Sequence, residues 1–233
     1  MDELLIIVPV YNNLDLTIGT IASMVKCTKN AFEIIIVDDC STDATQAYFA
    51  NYSDTPAIIH YVRNEINSGV NASWNVGLKK AMELEGSYVC ISNNDILYSD
   101  NWDGPLLKAL ENGYSVVSPY CTEMDVPADF PSGVGRHINK APLDILGCCF
   151  AFKKSLIDVI GLFPENMRHY YGDNWIIDIC YKLNRQVGHI YDSYIHHLYC
   201  KTTSQLHSEL FHIDTRAYYT YCAVNSININ YRK

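Results

Sequence analysis

Three short polar clusters stand directly behind apolar runs: Tyr11-Asn12-Asn13, Asp38-Asp39-Cys40-Ser41-Thr42-Asp43 and Ser92-Asn93-Asn94-Asp95. Two more, YYGDNWIID and YIHHLY, lie in the second half of the chain. Carboxylates so placed can accept hydrogen bonds from a base N–H or a ribose hydroxyl. They can also ligate a hard divalent cation or take the proton of an attacking hydroxyl. An imidazole could complete a cation site, and Mn²⁺ accepts it more readily than Mg²⁺ does. Of the neighbours His196 and His197, one would face such a site and the other away, because successive side chains of a strand alternate. Duller uses compete: Asp43 and Asp173 each stand where a helix cap belongs. Cys148 and Cys149, in the apolar run ILGCCFAF, read as two small buried side chains.

The elements that must position these residues are legible from their pattern. Leu4 to Val10 is a continuous apolar run, Leu14 to Met24 has helical spacing, and Phe32 to Val37 is β-branched. Ala57 to Val62 reads as a third strand, Val70 to Leu84 as a helix with one apolar face, and Tyr88 to Ile91 as a fourth strand. Alternating strands and helices imply a parallel sheet, and strands this apolar are covered on both faces. The polar clusters therefore gather at the carboxyl edge, where open α/β sheets bind ligands. Beyond about residue 115 a loop rich in Pro and Gly is expected over roughly Ser118 to Pro142. A strand-like Leu143 to Phe152, a helix around Trp175 to Leu183, a strand near Val187 to Tyr191 and a tyrosine-rich tail follow.

The ligand at that edge is not a dinucleotide held by a glycine fingerprint, since the chain has V-P-V-Y-N-N after the first strand and no G-x-G-x-x-G. Asp39 by itself would pass for a ribose-binding acid. The 233 residues, 48% hydrophobic and 18% charged, suit one globular catalytic unit. A net charge of −9 disfavours nucleic acid and anionic membrane as partners. The acidic start MDELLIIVPVYNN is unlike a signal peptide and no transmembrane run of 18 apolar residues occurs, so a cytoplasmic protein is expected. Nine cysteines without a Cys-x-x-Cys pair read as free thiols.

The ordered set VPVYNN, IIIVDDCSTDAT, NEINSGVNASWNVGL and SNNDI resembles the successive donor-site motifs of the inverting family 2 glycosyltransferases. The resemblance covers about residues 4 to 100 and extends more weakly through GCCFAFKKSLIDVIGLFPE and YYGDNWIIDICYKL to about residue 185. It implies the α/β GT-A fold: a mixed, mainly parallel sheet flanked by helices. One domain over residues 1–233 would hold a nucleotide-sugar in residues 1–100 and an acceptor in residues 101–233, with a C-terminal helical tail. By the same resemblance Val10, Tyr11, Asn12 and Asp39 hold the nucleoside. Arg63, Asn67, Gly69 and Asn75 match the stretch near the nucleotide, and Trp74 stands where the family often has arginine. Asn93-Asn94-Asp95 matches the family's Asp-x-Asp triplet: Asp95 is the implied metal ligand, with His196 or His197 as the second, and Asn93 and Asn94 are on the donor side.

The family's catalytic base comes from a Glu-Asp motif at a helix start. Here Asp173-Asn174 stands in its place, so Asp173, or alternatively Asp178, takes that role, and Trp175 offers an aromatic wall to the acceptor sugar. The implied reaction is transfer of a sugar from a UDP- or dTDP-sugar to a hydroxyl of a glycan or glycoconjugate, aided by Mn²⁺ or Mg²⁺. A sugar nucleotidyltransferase would show a glycine-rich basic loop near the first strand, which is missing. A family member that binds donor or glycan without turnover is the remaining alternative.

Overall fold

The computed structural model describes residues 3–50, 52, 56–122, 134–135, 145–198 and 207–227. The first half alternates strands and helices: β1 (Leu4–Val10), α1 (Leu14–Cys27), β2 (Phe32–Asp38), α2 (Thr45–Ala50), β3 (Ile58–Arg63), α3 (Val70–Glu83) and β4 (Tyr88–Ser92). There follow β5 (Ile96–Tyr98), α4 (Asp103–Glu111), β6 (Val116–Thr122), β7 (Val134–Gly135) and β8 (Cys149–Lys153). The chain continues through α5 (Leu156–Ile160), α6 (Gly172–Lys182), β9 (Val187–His197) and α7 (His207–Val224).

Among the described residues the strands join one nine-stranded mixed sheet in the order β3-β2-β1-β4-β8-β6-β9-β5, with β7 also on β9. Pairing is parallel among β1, β2, β3 and β4, whereas β8 runs antiparallel to both β4 and β6. Successive residues of β1 feed opposite cores. Leu5 and Ile7 pack with Val89, Phe150 and Trp74 on one face, and Leu4, Ile6 and Val8 pack with Ile34, Met24 and Trp102 on the other. Two covered faces explain why these strands are unbroken apolar runs rather than alternating ones. Pro9 is tolerated within a central strand for a geometric reason. The Val10 carbonyl turns to β2, so Pro9 turns to the β4 side, where pairing has already ended at Ile7.

The second half departs from the sequence expectation. Ser118 to Thr122 belong to β6 rather than to a loop, and they pair with β9 across a register shift between Pro119 and Tyr120. A bulge of this kind hides the period of 2 that would reveal the strand. Most of the remaining stretch to Pro142 lies outside the described residues. β9 runs on to His197, well past Tyr191, and α4 has no counterpart in the sequence reading. Among the described residues no helix is long and apolar enough to cross a membrane.

Candidate active site

In the strand order the chain first moves outward from β1 to β2 and β3, then crosses back to place β4 on the other side of β1. A crevice is expected at such a reversal, at the carboxyl ends of β1 and β4. The polar clusters of the sequence meet there.

The turns after β1 and β2 are laced together. Asn12 and Asn13 both take the left-handed conformation, φ 57°, which asparagine tolerates better than most residues. The Asn12 side-chain oxygen accepts the Thr42 N–H at 2.7 Å, and its own N–H donates to Ser41 Oγ at 2.8 Å. Asp43 does cap: one oxygen accepts Thr45 N–H at the start of α2 at 3.0 Å, and the other accepts Leu14 N–H at the start of α1 at 3.2 Å. The Val10 carbonyl accepts the Asp39 N–H at 2.8 Å, and Tyr11 is half-buried beside it.

Asp38 is fully buried and accepts bonds from Ser41 N–H, Tyr61 Oη and the Arg63 guanidinium. Burial opposes its charge, but these donors win and hold its carboxyl below the usual range. The Arg63 guanidinium is thereby committed to Asp38 and to the Ser41 carbonyl, at 2.9 Å from the latter. Asp39 is also nearly buried. Its oxygens accept Asn64 Nδ2 at 2.8 Å, Ser68 N–H at 2.9 Å and Gly69 N–H at 2.8 Å. Gly69, at φ 91°, precedes α3, and a Cβ there would meet the Arg168 carbonyl at 2.6 Å, so only glycine fits. Asn67 accepts the Arg168 guanidinium on its carbonyl at 2.8 Å. Asn75 is buried and turns its amide to Phe163, donating to its carbonyl and accepting its N–H, both at 2.8 Å. It thus braces the segment before α6 rather than standing open at the sheet edge.

After β4, Asn93 donates its N–H to Cys148 O at 2.8 Å and Asn94 donates its amide to Thr17 Oγ1 at 2.9 Å. Asp95, 7% exposed, lies 2.9 Å from His197 Nε2. The register of β5 on β9 pairs Ile96 with His197 and Leu97 with His196. Asp95 lies in the turn just before β5 and reaches His197 from there, whereas His196, paired with the exposed Leu97, takes the opposite face of the strand. Burial works against a charged His197, but the bond and charge of Asp95 outweigh it and raise its pKa. Two cation ligands at about 2.1 Å and a right angle would be about 3.0 Å apart, so the pair matches one edge of an octahedral site. Among the described residues no third acidic, His or Cys group completes a cage. Further ligands would have to be substrate or water oxygens.

A cleft of about 350 Å³ opens beside Asn93. Asp173 and Asn174, at the start of α6, line it with His169, and its aromatic walls are Trp74, Tyr170, Tyr171 and Phe211. The Asp173 carboxylate accepts the Asn174 N–H at 2.8 Å. Gly147 leaves room for that carboxylate, because a Cβ there would lie 2.7 Å from its Oδ2.

Two sequence expectations are corrected by this geometry. Trp175 is no wall of the cleft: it is 2% exposed and packed between Phe163 and Tyr221, because helical spacing turns it inward while Asp173 and Asn174 face the opening. Asp178, 1% exposed, accepts the Tyr218 hydroxyl of α7 inside the core and is not at the cleft. The sequence reading also missed the true walls, although the doubled tyrosine before Gly172 marked two of them. Of the neighbouring cysteines, Cys149 is buried and Cys148 half-buried. Burial pushes Cys149 up, as do the thiol of Cys90 and its charge; the bond to Cys121, and then burial, do the same for Cys148, so neither is an activated thiolate.

A nucleotide-type crevice on a mixed sheet, with an acid at the end of β4, defines the GT-A class of α/β fold, and solved structures share it. The fold superposes on TarS of S. aureus with UDP bound at a TM-score of 0.66, over 83% of this chain and 60% of that one, with 22% identity. It also superposes on GalNAc-T7 with UDP, GalNAc and Mn²⁺ at 0.68, over 85% of this chain and 44% of that one, with 16% identity. The model of Glycosyl transferase family 2 matches residues 5–160, and the chain belongs to that family. A Bacillus subtilis protein named as teichuronic acid biosynthesis glycosyltransferase TuaG is 33% identical over 52% of this chain and 50% of its own length. An uncharacterized glycosyltransferase of Rickettsia prowazekii is 28% identical over 70% of this chain and 54% of its own. The chain thus spans about half the length of these relatives.

Proposed function

We propose that the protein transfers a sugar from a nucleoside-diphosphate sugar to an acceptor hydroxyl with inversion, and that Asp173 is the base. The observation that carries this reading is the meeting of Asp173 with Asn93 in one cleft, Asn93 standing two residues before the Asp95 that pairs with His197. Residues before the cleft, from Val10 to Asn94, form the donor side, and those from Gly147 onward the acceptor side. The donor nucleotide is UDP in the first instance, since the neighbours TarS and GalNAc-T7 were solved with UDP. Asp95 and His197 would hold Mn²⁺ or Mg²⁺, whose charge would offset that of the departing diphosphate. Mn²⁺ in the GalNAc-T7 structure supports this choice. Asp173 accepts the acceptor's proton as its oxygen attacks the anomeric carbon and the diphosphate leaves, so no covalent enzyme intermediate is needed. The acceptor is a glycan or glycoconjugate, in keeping with a cleft walled by aromatic rings.

The test is release of UDP from UDP-sugars with Mn²⁺ and with a chelator, together with the anomeric configuration of the product. Asp95→Ala and His197→Ala should lose the stimulation by Mn²⁺, whereas His196→Ala should keep it. Full turnover in chelator would sink the metal assignment, and a retained configuration would sink inversion. Tight donor binding with neither transfer nor hydrolysis would favour a family member that binds without turnover.

A further inference from the structure

Asp214 of α7 is completely buried, and its carboxylate faces three consecutive backbone N–H groups. It accepts Arg168 N–H at 3.0 Å on one oxygen, and His169 N–H at 2.7 Å and Tyr170 N–H at 3.0 Å on the other. Successive N–H groups that converge in this way form an anion-binding nest, here filled by a side chain of the same protein. The next residue, Tyr171, has φ 67°, and α6 begins at Gly172, immediately before Asp173. On the far side the segment has no slack. A Cβ on Gly172 would meet Trp74 Cζ3 at 2.4 Å and Asn71 Oδ1 at 2.5 Å. Arg168 itself turns away from Asp214 and reaches the carbonyl of Asn67 at 2.8 Å.

The geometry points to Asp214 as a positioning residue for the transfer reaction. It clamps the Arg168–Tyr170 backbone so that the Asp173 carboxylate and the Tyr170 wall of the cleft are set before substrate arrives. The inference rests on the role proposed above for Asp173. Through this clamp α7 belongs to the site, although Asp214 touches no substrate. Misplacing a reacting group by about 1 Å costs on the order of 10² in rate, which sets the scale of its effect.

The test compares wild type, Asp173→Asn and Asp214→Asn. The last substitution keeps volume but turns a donor toward backbone donors. Two readouts are taken: amide hydrogen exchange of peptides covering residues 167–172, and UDP release from UDP-N-acetylglucosamine with its pH profile. Asp214→Asn should speed exchange in that segment and slow UDP release on the order of 10²-fold, with the limb of the pH profile due to Asp173 displaced. Its affinity for UDP should stay within about twofold. Asp173→Asn should slow release and leave exchange unchanged. Unaltered exchange, or unaltered release and profile, in a folded Asp214→Asn would overturn the proposal. If that variant does not fold, Asp214→Glu, which keeps both acceptor oxygens but displaces them by one methylene in a fully buried site, is read in the same way. A wild type that releases no nucleoside diphosphate from UDP-N-acetylglucosamine or from any other UDP- or dTDP-sugar is a failure of the transferase reading itself, and is seen before any variant is compared.

Discussion

At the scale of single residues, the acids of this chain divide by what their oxygens already do. Asp38 is spent on Ser41, Tyr61 and Arg63, and Asp178 on the hydroxyl of Tyr218. Asp173 and Asp95 stand at the cleft and beside His197. General-base catalysis contributes about 10² to 10⁴ in rate, so Asp173→Asn should lower turnover by that order with the affinity for UDP unchanged. Asp173 is the second residue of α6 and not its cap, contrary to the sequence alternative, and Asn keeps its volume and the oxygen that accepts the Asn174 N–H, which separates proton acceptance from a structural role. Near-normal turnover in a folded Asp173→Asn would remove it as the base. Asp38 leads to a pH effect. Its folded pKa is depressed, so its contribution to stability is present above the unfolded value of about 3.9 and is lost as pH falls through the folded value. The gap in melting temperature between wild type and Asp38→Asn should be widest above about pH 4 and narrow below it. A gap independent of pH would show that the Asp38 charge is not what Arg63 and Ser41 stabilise.

At the scale of elements, α6 presents two faces with different duties. Asp173 and Asn174 face the cleft, while Trp175, Ile176 and Asp178 are buried against neighbouring elements. The helix was legible in the sequence from its apolar spacing, but the duty of Trp175 was not. A tryptophan next to a candidate base fits a sugar platform and a core anchor equally well by type. Its contacts with Phe163 and Tyr221, at ring-centroid distances of 5.0 and 6.3 Å, make it an anchor. Trp175→Ala should therefore cost about 3 to 5 kcal/mol of stability in chemical denaturation, a core-truncation effect. A loss of less than about 1 kcal/mol would mean that the side chain is not packed as described. The missed strand β6 has a comparable cause, because its pairing with β9 is interrupted by a register shift and its period breaks within seven residues.

At the scale of the whole molecule, donor and acceptor sides are parts of one sheet, joined by β8 between β4 and β6. Donor binding should thus be felt as global stability. A ligand at 100 times its dissociation constant adds about 2.7 kcal/mol, and 1 kcal/mol moves the melting temperature of a chain this size by about 2 to 4 °C. UDP-sugar with Mn²⁺ should raise the melting temperature by several degrees, and by less with chelator. No shift from any UDP- or dTDP-sugar would count against the nucleotide site. The sequence by itself determined strands β1 to β4, helices α1 and α3 and the placing of the acids at strand ends, because burial on both faces imprints a run of apolar residues on each strand locally. Only the tertiary structure decided which histidine meets Asp95, 102 residues away, which aspartate faces the cleft, and that Asp214 fills a nest 44 to 46 residues back in the chain. Those pairings are made by packing between elements, and contacts between distant residues leave no periodicity in the segments that make them.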